Sequence, residues 1–161
     1  MKNIFLFIVV LFTLISCQED VRFNNPSFQG VKNNVFWRAS LSTASLDGNG
    51  ALAITGYSGS EIITLRTTST VEGVYVLGTS DSETAVYVLT DATAKIIFAT
   101  GLGKGDGQIV ITEYDIENNT ISGTFKFNAE NSYSNPLAGS ILNFQQGVFY
   151  KVPIVAQAST N

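Results

Sequence analysis

"GQIVITEYDIENNTISGTFKFN", residues 107–128, decides the fold. In its second half Ile121, Gly123, Phe125 and Phe127 alternate with Ser122, Thr124, Lys126 and Asn128. A period of two places the first set on one face and the second on the other, as in a half-buried strand. The first half, "GQIVITEYD" (107–115), is rich in β-branched residues, which suit a pleated surface. Between them "IENN" has turn chemistry. The stretch therefore predicts an antiparallel hairpin.

Outward from it the same rhythm repeats. Strands are expected at "NVFWRASL" (34–41), "GALAITGY" (50–57), "EIITLRT" (61–67), "GVYVLG" (73–78), "TAVYVLT" (84–90) and "KIIFAT" (95–100). "SILNFQ" (140–145) and "GVFYKVP" (147–153) close the series. The links "DGNG", "SGS", "GTSDSE", "GLGKGDG" and "NSYSNPLAG" carry turn residues. Strands at this spacing with no helical run predict an all-β, antiparallel meander of about 8–10 strands forming a β-sandwich, or alternatively a closed or partly open barrel.

The amino-terminal end differs. Ile4 to Ile15 is apolar except for Thr13, and at twelve residues it is shorter than the ~20 a spanning helix needs. Lys2 precedes it and the small Ser16 follows, the parts of a secretory signal. "LISC" (14–17) resembles a bacterial lipobox. The resemblance implies cleavage between Ser16 and Cys17 and lipid on the Cys17 sulfur. Cys17 is the single cysteine, so no internal disulfide is available to it. Several acyl chains on it would hold a bilayer, at about 0.8 kcal/mol per buried CH₂. Gln18, Glu19 and Asp20 come next and resemble the acidic export signal of surface lipoproteins in Bacteroidota, although Val21 and Arg22 end the acidic run early.

The expected organisation is a signal peptide over 1–16, a lipidated tether over 17–33, an all-β domain over 34–155 and a tail over 156–161. Within the tether, Phe23 and Phe28 are positioned to dock locally. Removing the leader takes Lys2 with it, leaving eight basic against thirteen acidic residues. That acidic balance argues against nucleic acid and against electrostatic adsorption to anionic lipid. Membrane attachment is thus expected from the lipid alone. The chain has no histidine, so Ser-His and Cys-His nucleophile pairs and ordinary zinc sites are excluded.

Trp37, "ALAITG", "EIITLRT", "GVYVLG", "AVYVL", "GQIVITEYD", "NNTISGTFKF" and "QGVFYKVPI" together resemble small Bacteroidota lipoproteins of domain-of-unknown-function family 6252, over about residues 31–154. The resemblance implies a lipid-anchored all-β domain and supplies no catalytic residues.

Other motifs fail their tests. "GLGKGDG" (101–107) has a phosphate loop's glycines, but a strand rather than a helix should follow it. "DGNG" (47–50) lacks the downstream glutamate of a calcium loop. Glu61 and Glu113 fall in strands, while Asp47, Asp81, Glu83, Asp91, Asp106, Asp115 and Glu117 fall in turns, where solvated acids sit. No catalytic carboxylate pair, metal site or cofactor is expected. Trp37, Tyr57, Tyr75, Tyr87, Tyr114, Tyr133 and Tyr150 either fill the core or form a sugar platform; core is the expectation for Trp37, and Tyr133 is the best placed for exposure. The expectation is a non-enzymatic surface module that binds a glycan, protein or envelope component. The rival is a carrier of a small apolar ligand inside a barrel.

Overall fold

A computed structural model describes residues 27–90, 95–132 and 138–155. It contains β1 (Ser27–Lys32), β2 (Val35–Arg38), β3 (Leu41–Leu46), β4 (Leu52–Ser58), β5 (Glu61–Thr67) and β6 (Gly73–Leu77). These continue into β7 (Thr84–Thr90), β8 (Lys95–Ala99), β9 (Asp106–Asp115), β10 (Thr120–Asn131) and β11 (Ile141–Val155). The expected hairpin is β9–β10, antiparallel from Thr120 opposite Asp115 to Asn128 opposite Asp106. Its turn is fastened by Asn118, whose Nδ2 and backbone N–H donate to the Asp115 carboxylate at 2.6 and 3.0 Å. Those two bonds, side chain first, hold the exposed Asp115 carboxyl below the usual carboxylate range.

The strands hydrogen-bond in the order β2-β1-β11-β3-β4-β5-β7-β8-β10-β9-β6, and β10 also pairs with β11. That extra pairing gives the sheet a ring-like connectivity through β11, β3, β4, β5, β7, β8 and β10. Two layers result. One runs β2-β1-β11-β10-β9-β6 and the other β3-β4-β5-β7-β8. They join where strands change layer: Ile154 and Val155 of β11 pair with Ala44 and Ser45 of β3, in parallel. At the second corner Glu130 and Asn131 of β10 pair with Ala99 and Phe98 of β8.

Side-chain contacts show how the layers cross. Phe28 of β1 packs on Gly56 of β4, while Lys32 of the same strand reaches Glu61 of β5 and Tyr87 of β7. So β1 runs across the strands of the other layer, as in packings whose corners are made by bent strands. Between the layers lie Phe28, Phe125, Phe127 and Phe144, with neighbouring ring centroids 5.0–6.1 Å apart. Trp37 meets Phe28 and Phe144 edge-on. Glycines make room for these rings. A Cβ on Gly147 would lie 2.6 Å from the Phe125 ring, one on Gly30 2.4 Å from Phe144, and one on Gly123 2.4 Å from Phe149.

Several expectations need correction. Residues 27–33 are not tether: Ser27–Lys32 is β1, and Phe28 is fully buried. Its burial pattern alternates only over four residues, too short a run to stand out from its polar neighbours. "NVFWRASL" is two strands, broken at Ala39–Ser40, with β3 continuing to Leu46. The chain is not a simple meander, because β5 pairs with β7 and β6 crosses to β9. The all-β class holds, with eleven strands among the described residues.

Candidate binding groove

The outer face of the first layer carries a polar depression. On it Asn128 of β10 sits directly opposite Asp106 of β9 on one side and Asn143 of β11 on the other. Asn128 Nδ2 donates to Asp106 Oδ1 at 2.9 Å, and Asn143 Nδ2 donates to Asn128 Oδ1 at 2.6 Å. Asn33, in the β1–β2 turn, extends the row: its Oδ1 accepts the Asn143 backbone N–H at 2.9 Å. Asn33 and Asn34 have φ of 45° and 66°, the doubly left-handed geometry of a two-residue hairpin turn that asparagine tolerates. Each side-chain amide has two N–H donors, so the row is fixed by one and keeps a second.

Beside this row β11 bulges. Phe127 pairs with Phe144 and Phe125 with Gly147, leaving Gln145 and Gln146 opposite the single Lys126. Gln146 is left-handed, φ 51°, a geometry that re-aims a side chain at a bulge. Gln145, Gln146 and Lys126 are all exposed. The result is a depression of about 430 Å³ lined by Asp106, Lys126, Asn128, Asn143, Gln145 and Gln146, together with Gly107, Phe127 and Phe144. A second, of about 330 Å³, adjoins it through Lys126 and Gln146 and reaches Gln108, Thr124 and Val148. Across the same face Gln145 pairs with Val31, and Val31 with Phe36. Phe36, 65% exposed, lies on this face two strands beyond Gln145, outside the lining of either depression.

A different polar cluster closes the seam between the layers. Glu61 accepts from Lys32 Nζ at 2.6 Å and from Trp37 Nε1. Lys32 also donates to the Tyr87 hydroxyl at 3.2 Å and lies 5.0 Å from the centre of that ring. Burial, and then the negative charge of Glu61, push the Tyr87 phenol well above its usual range. Every polar atom here has a partner, which is the chemistry of a clasp.

The residues singled out from sequence scatter. Trp37 and Tyr87 are buried. Tyr75 bonds Ser69 and the Val71 carbonyl, Tyr114 packs on the core, and Tyr57 and Tyr150 are partly exposed on opposite layers. Among the described residues they form no common platform, and the most exposed ring is Phe36, one residue before Trp37. Alternation carried that signal, because burying Trp37 turns Phe36 outward. Glu61 is spent in the clasp and Glu113 stands apart on β9, 3.4 Å from Ser122 Oγ. Asp106 opens a strand rather than lying in a turn. "DGNG" is a turn in which Asp47 Oδ1 accepts the N–H groups of Asn49 and Ala51, both at 2.9 Å. "GLGKGDG" runs into β9. Ser16, Cys17, Asp91 and Tyr133 lie outside the described residues.

Residues 24–153 match the family model described as "Domain of unknown function (DUF6252)", and the chain belongs to that family. No curated protein and no solved structure matches the chain.

Proposed function

We propose that this protein is a non-catalytic binding module, anchored to the outer membrane by lipid on Cys17 and displayed at the cell surface, whose groove takes a hydroxyl-rich ligand, most simply a glycan. The observation that carries the reading is the groove itself: side-chain amides and one carboxylate offer paired donors and acceptors, and Lys126 adds a cation; farther along the same face the exposed Phe36 offers an apolar ring to sugar C–H groups. Hydroxyls need groups that both donate and accept, and amides supply both. Asp106 is the one carboxylate lining the depression, whereas glycosidases use two. The carrier reading fares less well, since packed phenylalanine rings occupy the space between the layers.

A glycan array probed with the detergent-solubilised full-length protein tests the ligand class. Capture of defined saccharides is expected, with Phe36→Ala and Lys126→Ala each weakening it about tenfold, or ~1.4 kcal/mol, at unchanged Tm. Capture of proteins but no saccharide would reassign the site. The anchor is tested separately: Cys17→Ala should move the chain from the membrane fraction to the soluble one, and retention would refute lipidation.

A further inference from the structure

The outer face of the second layer is a different surface. Leu41, Tyr57, Ile62, Val88 and Ile97 lie directly opposite one another across β3, β4, β5, β7 and β8. They make an apolar rung through all five strands, with Leu41 59% exposed. The next rung, Thr43, Thr55, Thr64, Val86 and Ala99, is uncharged. Charge enters at the margins: Arg66 and Lys95 within the strands, and past the second rung Asp47 and Asp81, which share a depression with Arg66 and Val86; Glu61, the one acid in these strands, is held in the clasp. Two adjacent uncharged rungs on a chain of net charge −4 mark a contact surface.

The point where the chain enters the fold identifies what meets it. Phe28 O accepts the Ala39 N–H at 2.8 Å, and Tyr57 O accepts the Ser40 N–H at 2.8 Å. Ser27, opposite Tyr150 of β11, therefore enters at the corner between the layers, on the side where Ser40 meets Tyr57 at one end of the apolar rung. Ten residue steps separate Ser27 from Cys17, a reach of at most about 36 Å. We infer that this face rests on the lipid surface to which the chain is tethered, through apolar contact rather than charge, so that the groove on the opposite layer looks away from the bilayer. The inference rests on the Cys17 anchor.

Because Cys17 is the single cysteine and acylation consumes it, an added cysteine can be labelled alone. Full-length lipidated Val88→Cys and Thr124→Cys, carrying an environment-sensitive fluorophore, are reconstituted in phosphatidylethanolamine/phosphatidylglycerol vesicles. The label at 88 should shift to the blue and be quenched by nitroxide lipids, while that at 124 stays water-like. Water-like emission at both sites from protein that still floats with the vesicles overturns the docking and leaves the anchor standing. Failure to float overturns both. A blue shift at 88 that grows with protein concentration in detergent and resists nitroxide lipids gives the face to a second copy and also overturns the inference. Leu41→Glu, at an exposed site, should abolish the shift at 88 without releasing the protein.

Discussion

Glu61 shows how much one residue can hold. It joins Lys32 of β1 and Trp37 of β2 to β5, and it sets the field that Tyr87 feels. Breaking a buried ion pair costs about 3–5 kcal/mol. Here about a fifth of each side chain meets water, and screening lowers the expectation for Glu61→Ala to about 2 kcal/mol. Urea unfolding measures it, and the emission of the single tryptophan should shift as its N–H loses a partner. Tyr87 gives a pH signature. Its phenol is raised in the fold, so above about pH 10, the unfolded value, the unfolded chain releases a proton that the folded chain keeps. Stability from this group is complete below that pH and is lost as pH rises toward the folded value. Tyr87→Phe should flatten the alkaline fall, read as Tm against pH.

Among the elements, β11 does the most. It pairs with β10 and β1 and, at its end, with β3. Its bulge at Gln145–Gln146 shapes the groove and places Gln146 in a left-handed conformation, at a cost of about 1–2 kcal/mol for an ordinary residue. Gln146→Gly should raise stability by about 1 kcal/mol while weakening ligand capture, a split that denaturation and binding measured together would reveal. The element scale also shows what the sequence could disclose. Alternation in "TISGTFKFN" correctly turned Phe125 and Phe127 inward and Lys126 and Asn128 outward. It did not anticipate the burial of Ser122, whose hydroxyl accepts the Lys151 backbone N–H at 3.1 Å. Nor could alternation bring Asp106, Asn128 and Asn143 into one row, because register between distant strands is set by bulges and turns, not by the period within a strand. β1 escaped notice because its burial comes from tertiary contact with Gly56 and Phe144 rather than from a long periodic run.

At the scale of the molecule, two corners turn one sheet into two layers. The β11–β3 corner depends on Ile154, which is buried and exchanges bonds with Asn119: its N–H donates at 2.9 Å and its carbonyl accepts from Asn119 Nδ2 at 2.7 Å. Ending the chain at Pro153 removes about 2 kcal/mol of apolar burial and two hydrogen bonds of about 1 kcal/mol each. Such a truncation should lower unfolding stability by about 3–4 kcal/mol, measurable as an earlier denaturant midpoint. Pairing of chain ends also makes contacts distant in sequence, so refolding in milliseconds to seconds is expected from stopped-flow fluorescence.

The interlocked glycines and phenylalanines have an evolutionary consequence. Alanine at Gly147 would strike Phe125, and shrinking Phe125 first would open a cavity. The first step costs about 1–3 kcal/mol and the second about 3–5, against a typical reserve of 5–15. Positions 30 and 144, 123 and 149, and 147 and 125 should therefore drift as pairs or not at all. Among diverging members of the family, a side chain gained at one site is expected only where the facing ring has already been lost.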